Sequence, residues 1–165
     1  MFSTRNKMVI NFVKVTPYPV MPAYATDGSG CFDLFANSSR LISIGGKEAL
    51  ICGLGIAVEI PQDWVMEIYS RSGLGFKYNI VLANGTGIID SDYRGEVQVA
   101  LVADSSVFQH LVELASSGKA IAQAKLAFAP KVIFNEVDKL SDTARGIGGF
   151  GSTDDIDPVD RIQHG

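Results

Sequence analysis

The chain has 165 residues, 47% of them hydrophobic and 19% charged, which suits one domain with a substantial core and excludes a disordered polymer. Its net charge of −4, with Asp154, Asp155, Asp157 and Asp160 crowded near the C-terminus, excludes the broad basic footprint that nucleic acids and anionic membranes require. A small anionic ligand stays open, because a few placed arginines can serve it locally.

In chain order, the first strand is predicted over residues 8–15, followed by turn chemistry at Asp27-Gly28-Ser29-Gly30 and again at Gly45-Gly46. Leu50, Cys52, Leu54, Ile56, Val58 and Ile60 alternate with their neighbours, which predicts one long strand over 49–60 that Pro61 ends. Further strands are expected over 64–69, 96–102, 121–128 and 132–137, with a short helical turn at 72–76. Residues 105–115 fit either period: Val107, Phe108, Leu111, Val112 and Leu114 suit a helix, whereas His110, Val112 and Leu114 suit a strand.

Many short strands without βαβ alternation predict an all-β fold, a jelly-roll-like barrel or sandwich. Beyond Ser141 the chain turns glycine-rich and then acidic and cannot bury enough apolar surface to order itself. A β-barrel domain over 1–140 and a flexible C-terminal arm over 141–165 are therefore expected. Cys31 and Cys52 lack metal-type spacing and read as free thiols of a reducing cytosol, although a disulfide stays open. No apolar run approaches the ~20 residues of a membrane span. The opening Met1-Phe2-Ser3-Thr4-Arg5-Asn6-Lys7 has no signal-type apolar core, so a soluble, cytoplasmic protein is expected.

Ionisable groups concentrate in Gly87-Ile88-Ile89-Asp90-Ser91-Asp92-Tyr93-Arg94-Gly95, beside apolar strands. Such charge is costly there unless it is paired or working. Ser70-Arg71-Ser72-Gly73 and Arg145-Gly146-Ile147-Gly148-Gly149-Phe150-Gly151-Ser152-Thr153 each pair a guanidinium with hydroxyls and unhindered backbone amides. Those are the groups that hold phosphate. A P-loop is excluded, since no Gly-x4-Gly-Lys-Ser/Thr occurs. A serine-hydrolase reading of Ser72 lacks a base, because His110 and His164 stand in uninformative contexts.

Taken together the segments resemble the homotrimeric dUTPase family, whose five ordered motifs can each be matched. They are residues 25–34, ending Cys31-Phe32-Asp33-Leu34; Arg71-Ser72-Gly73-Leu74-Gly75; Gly87 to Gly95 with Asn84 upstream; Gly118-Lys119-Ala120-Ile121-Ala122-Gln123; and Arg145 to Thr153. The resemblance spans roughly residues 8–153. It implies a jelly-roll-like subunit in a homotrimer whose active sites lie at subunit interfaces. One chain would supply the first, second and fourth motifs, a neighbour the third, and the remaining chain the arm. The implied reaction converts dUTP and water to dUMP and pyrophosphate, with Mg2+ on the triphosphate.

The resemblance also implies roles. Asp90 is expected as the general base for the attacking water, and Tyr93 as the ring under the deoxyribose. Asn84 and the backbone of a hairpin from Asn84 to about Gln98, Gly87 included, would read uracil. Arg71, Ser72 and Gly73 would hold the α/β phosphates, with Gln123 nearby. Arg145, Gly151, Ser152 and Thr153 would close over the γ-phosphate while Phe150 stacks on the base. No direct protein ligand to Mg2+ is expected, with Asp33 and Gln123 acting through water. Asp92 and Arg94 are assigned to structural pairing.

Two departures stand out: Lys119-Ala120 replaces the family's acidic-arginine pair, and Asp154 follows Thr153 in place of glycine. Two alternatives share the fold, a dCTP deaminase and a regulatory protein switched by nucleotide. The Asp-Ser-Asp-Tyr turn and Asn84 argue against the first.

Overall fold

The computed structural model describes residues 8–44 and 46–149. Ten strands and two helices follow one another: β1 (Asn11–Lys14), β2 (Phe32–Phe35), β3 (Ser38–Ile44), β4 (Lys47–Gly53), β5 (Ile56–Glu59), β6 (Trp64–Tyr69), α1 (Ser72–Tyr78), β7 (Val81–Leu82), β8 (Gly87–Ile89), β9 (Gln98–Val102), α2 (Phe108–Ser116) and β10 (Ala120–Phe128). They form two four-stranded antiparallel sheets, ordered β2-β10-β6-β8 and β3-β4-β9-β7, and a two-stranded sheet of β1 and β5. The expected all-β, jelly-roll-like class holds. Among the described residues no helix is long and apolar enough to cross a membrane.

Alternation explains the core. From β6, Met66 and Ile68 point inward while Glu67 and Tyr69 stay half-exposed. β4 and β9 contribute Leu50, Cys52, Val99 and Leu101, β2 contributes Leu34, and β10 contributes Ala122 and Ala124, all in one buried cluster. Small alanines on β10 let it sit between β2 and β6 beneath larger neighbours. The ambiguous stretch resolves as α2, which sinks Leu111, Leu114 and Ala115 against β3, β4 and β10.

The long strand expected over 49–60 does not survive. It breaks into β4 and β5 at Leu54-Gly55, and the two halves join different sheets. Gly55 takes φ 70°, a conformation only glycine adopts without strain, and its N–H donates to Glu96 Oε1 at 2.8 Å. A Cβ there would lie 3.0 Å from Asn37 Cγ. Side-chain alternation continues through the break, so periodicity alone could not reveal it.

The strand expected over 132–137 is also absent. Ile133 and Phe134 are 91% and 95% exposed, and that stretch has no ladder partner among the described residues. It belongs to a separate unit that begins at Val132. Within that unit Lys139 pairs with Asp142 at 3.2 Å, and Gly146 and Gly148 donate in turns to the carbonyls of Thr143 and Arg145.

Gly55→Ala is expected to lower the unfolding free energy by roughly 1–3 kcal/mol, measurable by urea denaturation. The two thiols should also part company. Burial pushes the Cys52 thiol up to about 11, whereas Cys31 is only half-buried. A thiol reagent near pH ~8 should modify Cys31 in the native protein and reach Cys52 only after denaturant is added.

Candidate active site

The first, second and fourth segments meet because of strand register. Gln123 on β10 lies opposite Asp33 of β2 on one side and Tyr69 of β6 on the other. Directly paired residues share a face, so Asp33, Gln123 and Tyr69 form one row across the sheet. Ser70 and Arg71 follow immediately from the end of β6 and lead into α1.

Side-chain bonds tie this row together. Gln123 donates its amide to the Ser70 carbonyl at 3.0 Å. Arg71 places Nε 3.3 Å from Asp33 Oδ1 and donates through Nη1 to the Ala120 carbonyl at 2.9 Å. The guanidinium is thus held from two sides while remaining partly open to solvent. A cleft of about 480 Å³ opens over it, lined by Ser29, Gly30, Asp33, Arg71, Ser72, Gly73 and Gln123, and also by Cys31, Lys77 and Tyr78. Cys31 belongs to the first segment, whereas Lys77 and Tyr78 lie outside the matched motifs. Lys77 and Tyr78 enter because α1 continues past the expected helical turn to Tyr78, where Asn79 closes it in a left-handed conformation. Hydroxyls, small residues and a fixed guanidinium are a set that receives a phosphate chain.

Next to the row, Tyr69 donates to the Glu67 carboxylate, and Lys125 lies 3.5 Å from the same carboxylate. The hydrogen bond to Glu67 comes first among the causes that hold the Tyr69 phenol above its ordinary value. The tyrosine facing Gln123 therefore stays protonated, a fixed neutral neighbour.

The third segment lies elsewhere. β8 pairs antiparallel with β6 through Ile68↔Gly87, Glu67↔Ile88 and Met66↔Ile89. It therefore runs away from Arg71, and Asp90 emerges beyond Met66 at the far end of β6. At ~3.3 Å per residue along the strand, Asp90 and Arg71 are separated by roughly 15 Å or more. Asn84, Gly87, Asp90 and Tyr93 do not line the Arg71 cleft.

Asp90 and Asn84 are exposed. Tyr93 bonds its N–H to the Asp90 carbonyl at 3.2 Å and its hydroxyl to the Glu96 carbonyl at 3.0 Å. Gly95 makes this possible, because a Cβ there would lie 2.6 Å from Tyr93 Cζ.

Two expectations need correction. The stretch from Asn84 to Gln98 is not a paired hairpin: β7 and β9 pair with each other in one sheet, while β8 between them joins the other. The segment crosses between sheets because Ala83 still donates to Ala100 before the chain turns at Asn84-Gly85 and leaves. Arg94 pairs with Glu59 at 3.6 Å rather than with Asp92, and donates to the carbonyls of Ser91 and Tyr93. It braces the turn that carries Asp90.

Arg145, in the unit beginning at Val132, donates through Nε to the Gly148 carbonyl at 2.9 Å. Phe150, Gly151, Ser152 and Thr153 lie outside the described residues.

Comparison with known proteins bears on these segments. The family model for dUTPase matches residues 18–154. The deoxyuridine 5′-triphosphate nucleotidohydrolase of Desulfitobacterium hafniense is 39% identical over 150 residues, covering 89% of this chain and 95% of the relative. That of Nautilia profundicola is 40% identical over 146 residues, covering 88% and 99%. Among solved structures, the dUTPase of Staphylococcus bacteriophage 80alpha with dUpNHpp superposes with a TM-score of 0.71 at 20% identity, covering 88% of this chain and 98% of that one. A mutant dUTPase from phage phi11 of S. aureus, described for its coordination of a structural Mg(II) ion, has a TM-score of 0.63 at 17% identity and covers 80% and 98%. At such identities the structural likeness speaks for the fold.

Gly95→Ala is expected to displace the Tyr93 ring and break its bond to Glu96. A crystal structure of the variant would show the shift, and denaturation should register a loss of about 1 kcal/mol, the low end of overpacking costs because the ring can swing outward.

Proposed function

The chain belongs to the dUTPase family, and we propose that it hydrolyses dUTP to dUMP and pyrophosphate in active sites shared between copies of itself. The observation that carries the shared-site reading is the division of the chemistry. The Asp33–Arg71–Gln123 cleft gathers the phosphate-binding residues, while Asp90 and Tyr93 stand at the opposite end of β6. A general base has to stand within hydrogen-bond reach of the attacking water, and a separation of roughly 15 Å or more along β6 supports a base supplied from elsewhere. A homotrimer, in which a neighbour's third segment faces the cleft, answers that geometry.

In this reading Arg71, Ser72, Gly73 and Gln123 hold the phosphate chain. Asp90 from a neighbouring copy takes a proton from the water that attacks the α-phosphorus. The bond between that phosphorus and the α,β-bridging oxygen breaks, and pyrophosphate leaves carrying the bridging oxygen. An exposed carboxylate is a competent base here because the developing charge falls on phosphate oxygens already facing a guanidinium. Tyr93, fixed by Glu96, packs under the deoxyribose. Asn84, Gly87 and the neighbouring backbone read the uracil edge, where a wrong base would leave polar groups unpaired. The arm from residue 141 onward brings Arg145, Gly151, Ser152 and Thr153 to the γ-phosphate and Phe150 to the base.

Mg2+ fits as a passenger on the triphosphate. Asp33 is committed to Arg71, and the described residues gather no group of three or more His, Cys, Asp or Glu side chains that could hold an ion. The oxygens of Asp33 and Gln123 at the cleft suit contact through coordinated water, the mode this ion favours. When bound, it would offset phosphate charge during attack. The setting is a soluble, intracellular enzyme of nucleotide metabolism. The deaminase alternative is not favoured.

Asp90→Asn and Arg71→Ala should each abolish pyrophosphate release from dUTP, with Asp90→Asn retaining affinity for dUpNHpp. Refolded together in equal amounts, the two inactive variants should regain about one quarter of wild-type turnover, since random assembly joins an intact Arg71 to an intact Asp90 at that frequency. A mixture as dead as its components would mean that each chain supplies both residues of its own site.

A further inference from the structure

The charged side chains lining the cleft are Asp33, Arg71 and Lys77. Arg71 is largely engaged by the protein itself, with Asp33 at 3.3 Å and the Ala120 carbonyl at 2.9 Å. The Asp33 carboxylate cancels its unit charge, so the pair offers a directed fork and no net attraction at a distance. Ala120 adds only its carbonyl, a group that repels anions. A triphosphate entering this cleft carries several negative charges and would meet a local charge near zero were it not for Lys77.

Lys77 is placed to change that balance. It is exposed and makes no ion pair among the described residues. It stands four residues beyond Gly73, hence on the same face of α1 as the segment expected to hold phosphate. Its ammonium is a compact charge on a flexible stem, able to follow a phosphate chain whose oxygens present charge in several directions. A positively charged cleft also gathers anions from solution before contact is made.

Resting on the reading of the cleft as the phosphate site of a dUTPase, we propose that Lys77 is a further phosphate-binding residue, the one that gives the cleft its net positive charge. Arg71 sets the direction of the phosphate chain, and Lys77 supplies its electrostatic capture. The assignment predicts a KM effect with a distinctive salt signature.

The full chain with Lys77→Met and with Lys77→Arg separates the possibilities, using dUTP as substrate and deoxyuridine, which has no phosphate, as a competitive inhibitor. Lys77→Met should raise the KM for dUTP about tenfold, the lower range for an exposed charge-assisted contact, with kcat within about threefold of wild type. Inhibition by deoxyuridine should be unchanged, Lys77→Arg should restore KM, and kcat/KM of Lys77→Met should depend less on ionic strength. An unchanged KM overturns the assignment. So does an equal loss for dUTP and deoxyuridine accompanied by a lower melting temperature, because that pattern marks a lysine that merely supports the last turn of α1. A wild-type chain that releases no pyrophosphate from dUTP overturns the dUTPase reading and this assignment with it; a normal wild type beside a normal Lys77→Met overturns this assignment alone.

Discussion

Everything at the cleft depends on the seating of β10 between β2 and β6. That register puts Gln123 in line with Asp33 and Tyr69, and a slip of β10 by one residue would turn Gln123 toward the core and out of the row. The row is then locked from its ends: Arg71 bridges Asp33 and the start of β10, and Gln123 grips the carbonyl of Ser70 just before Arg71. The guanidinium is consequently oriented before any ligand arrives. Ordering it beforehand removes part of the entropy that binding would otherwise cost.

The same sheet that assembles the cleft also separates it from Asp90. β6 is shared by β10 and β8, one neighbour on each side. Because β8 is antiparallel to β6, each residue from Gly87 to Ile89 carries the chain farther from Arg71. Gly95, Arg94 and Glu96 then fix Tyr93 and the turn around Asp90 without help from the cleft. On the shared-site reading, the two preorganised halves at opposite ends of this strand would meet their complements on neighbouring copies.

Much of this was legible in the residues. The strand over 64–69 appears with its expected ends, since inward Met66 and Ile68 alternate cleanly after the Pro61 turn. Residues 105–115 were undecidable because Val112 and Leu114 satisfy either period; the need to cover β3, β4 and β10 selects the helix. The single strand over 49–60 failed because its break depends on Glu96, far along the chain, capping the Gly55 amide. Arg71 could be named from its phosphate-type segment, and Asp33 and Gln123 from the family resemblance. Lys77 could not, because only the continuation of α1 brings it to the cleft. The crossing of Asn84–Gln98 between sheets was hidden for a similar reason: turn residues look alike whether the strands they join pair with each other or with different partners.

The opposed polarity of β8 and the Arg71 end of β6 carries a genetic consequence. On the shared-site reading, a copy damaged at both places spoils its own cleft and also withholds the base from a neighbour's. A cell carrying one sound and one defective allele would then lose activity out of proportion to the fraction of defective protein. Harm of this kind is dominant, and its origin would be the direction in which three residues of one short strand happen to run.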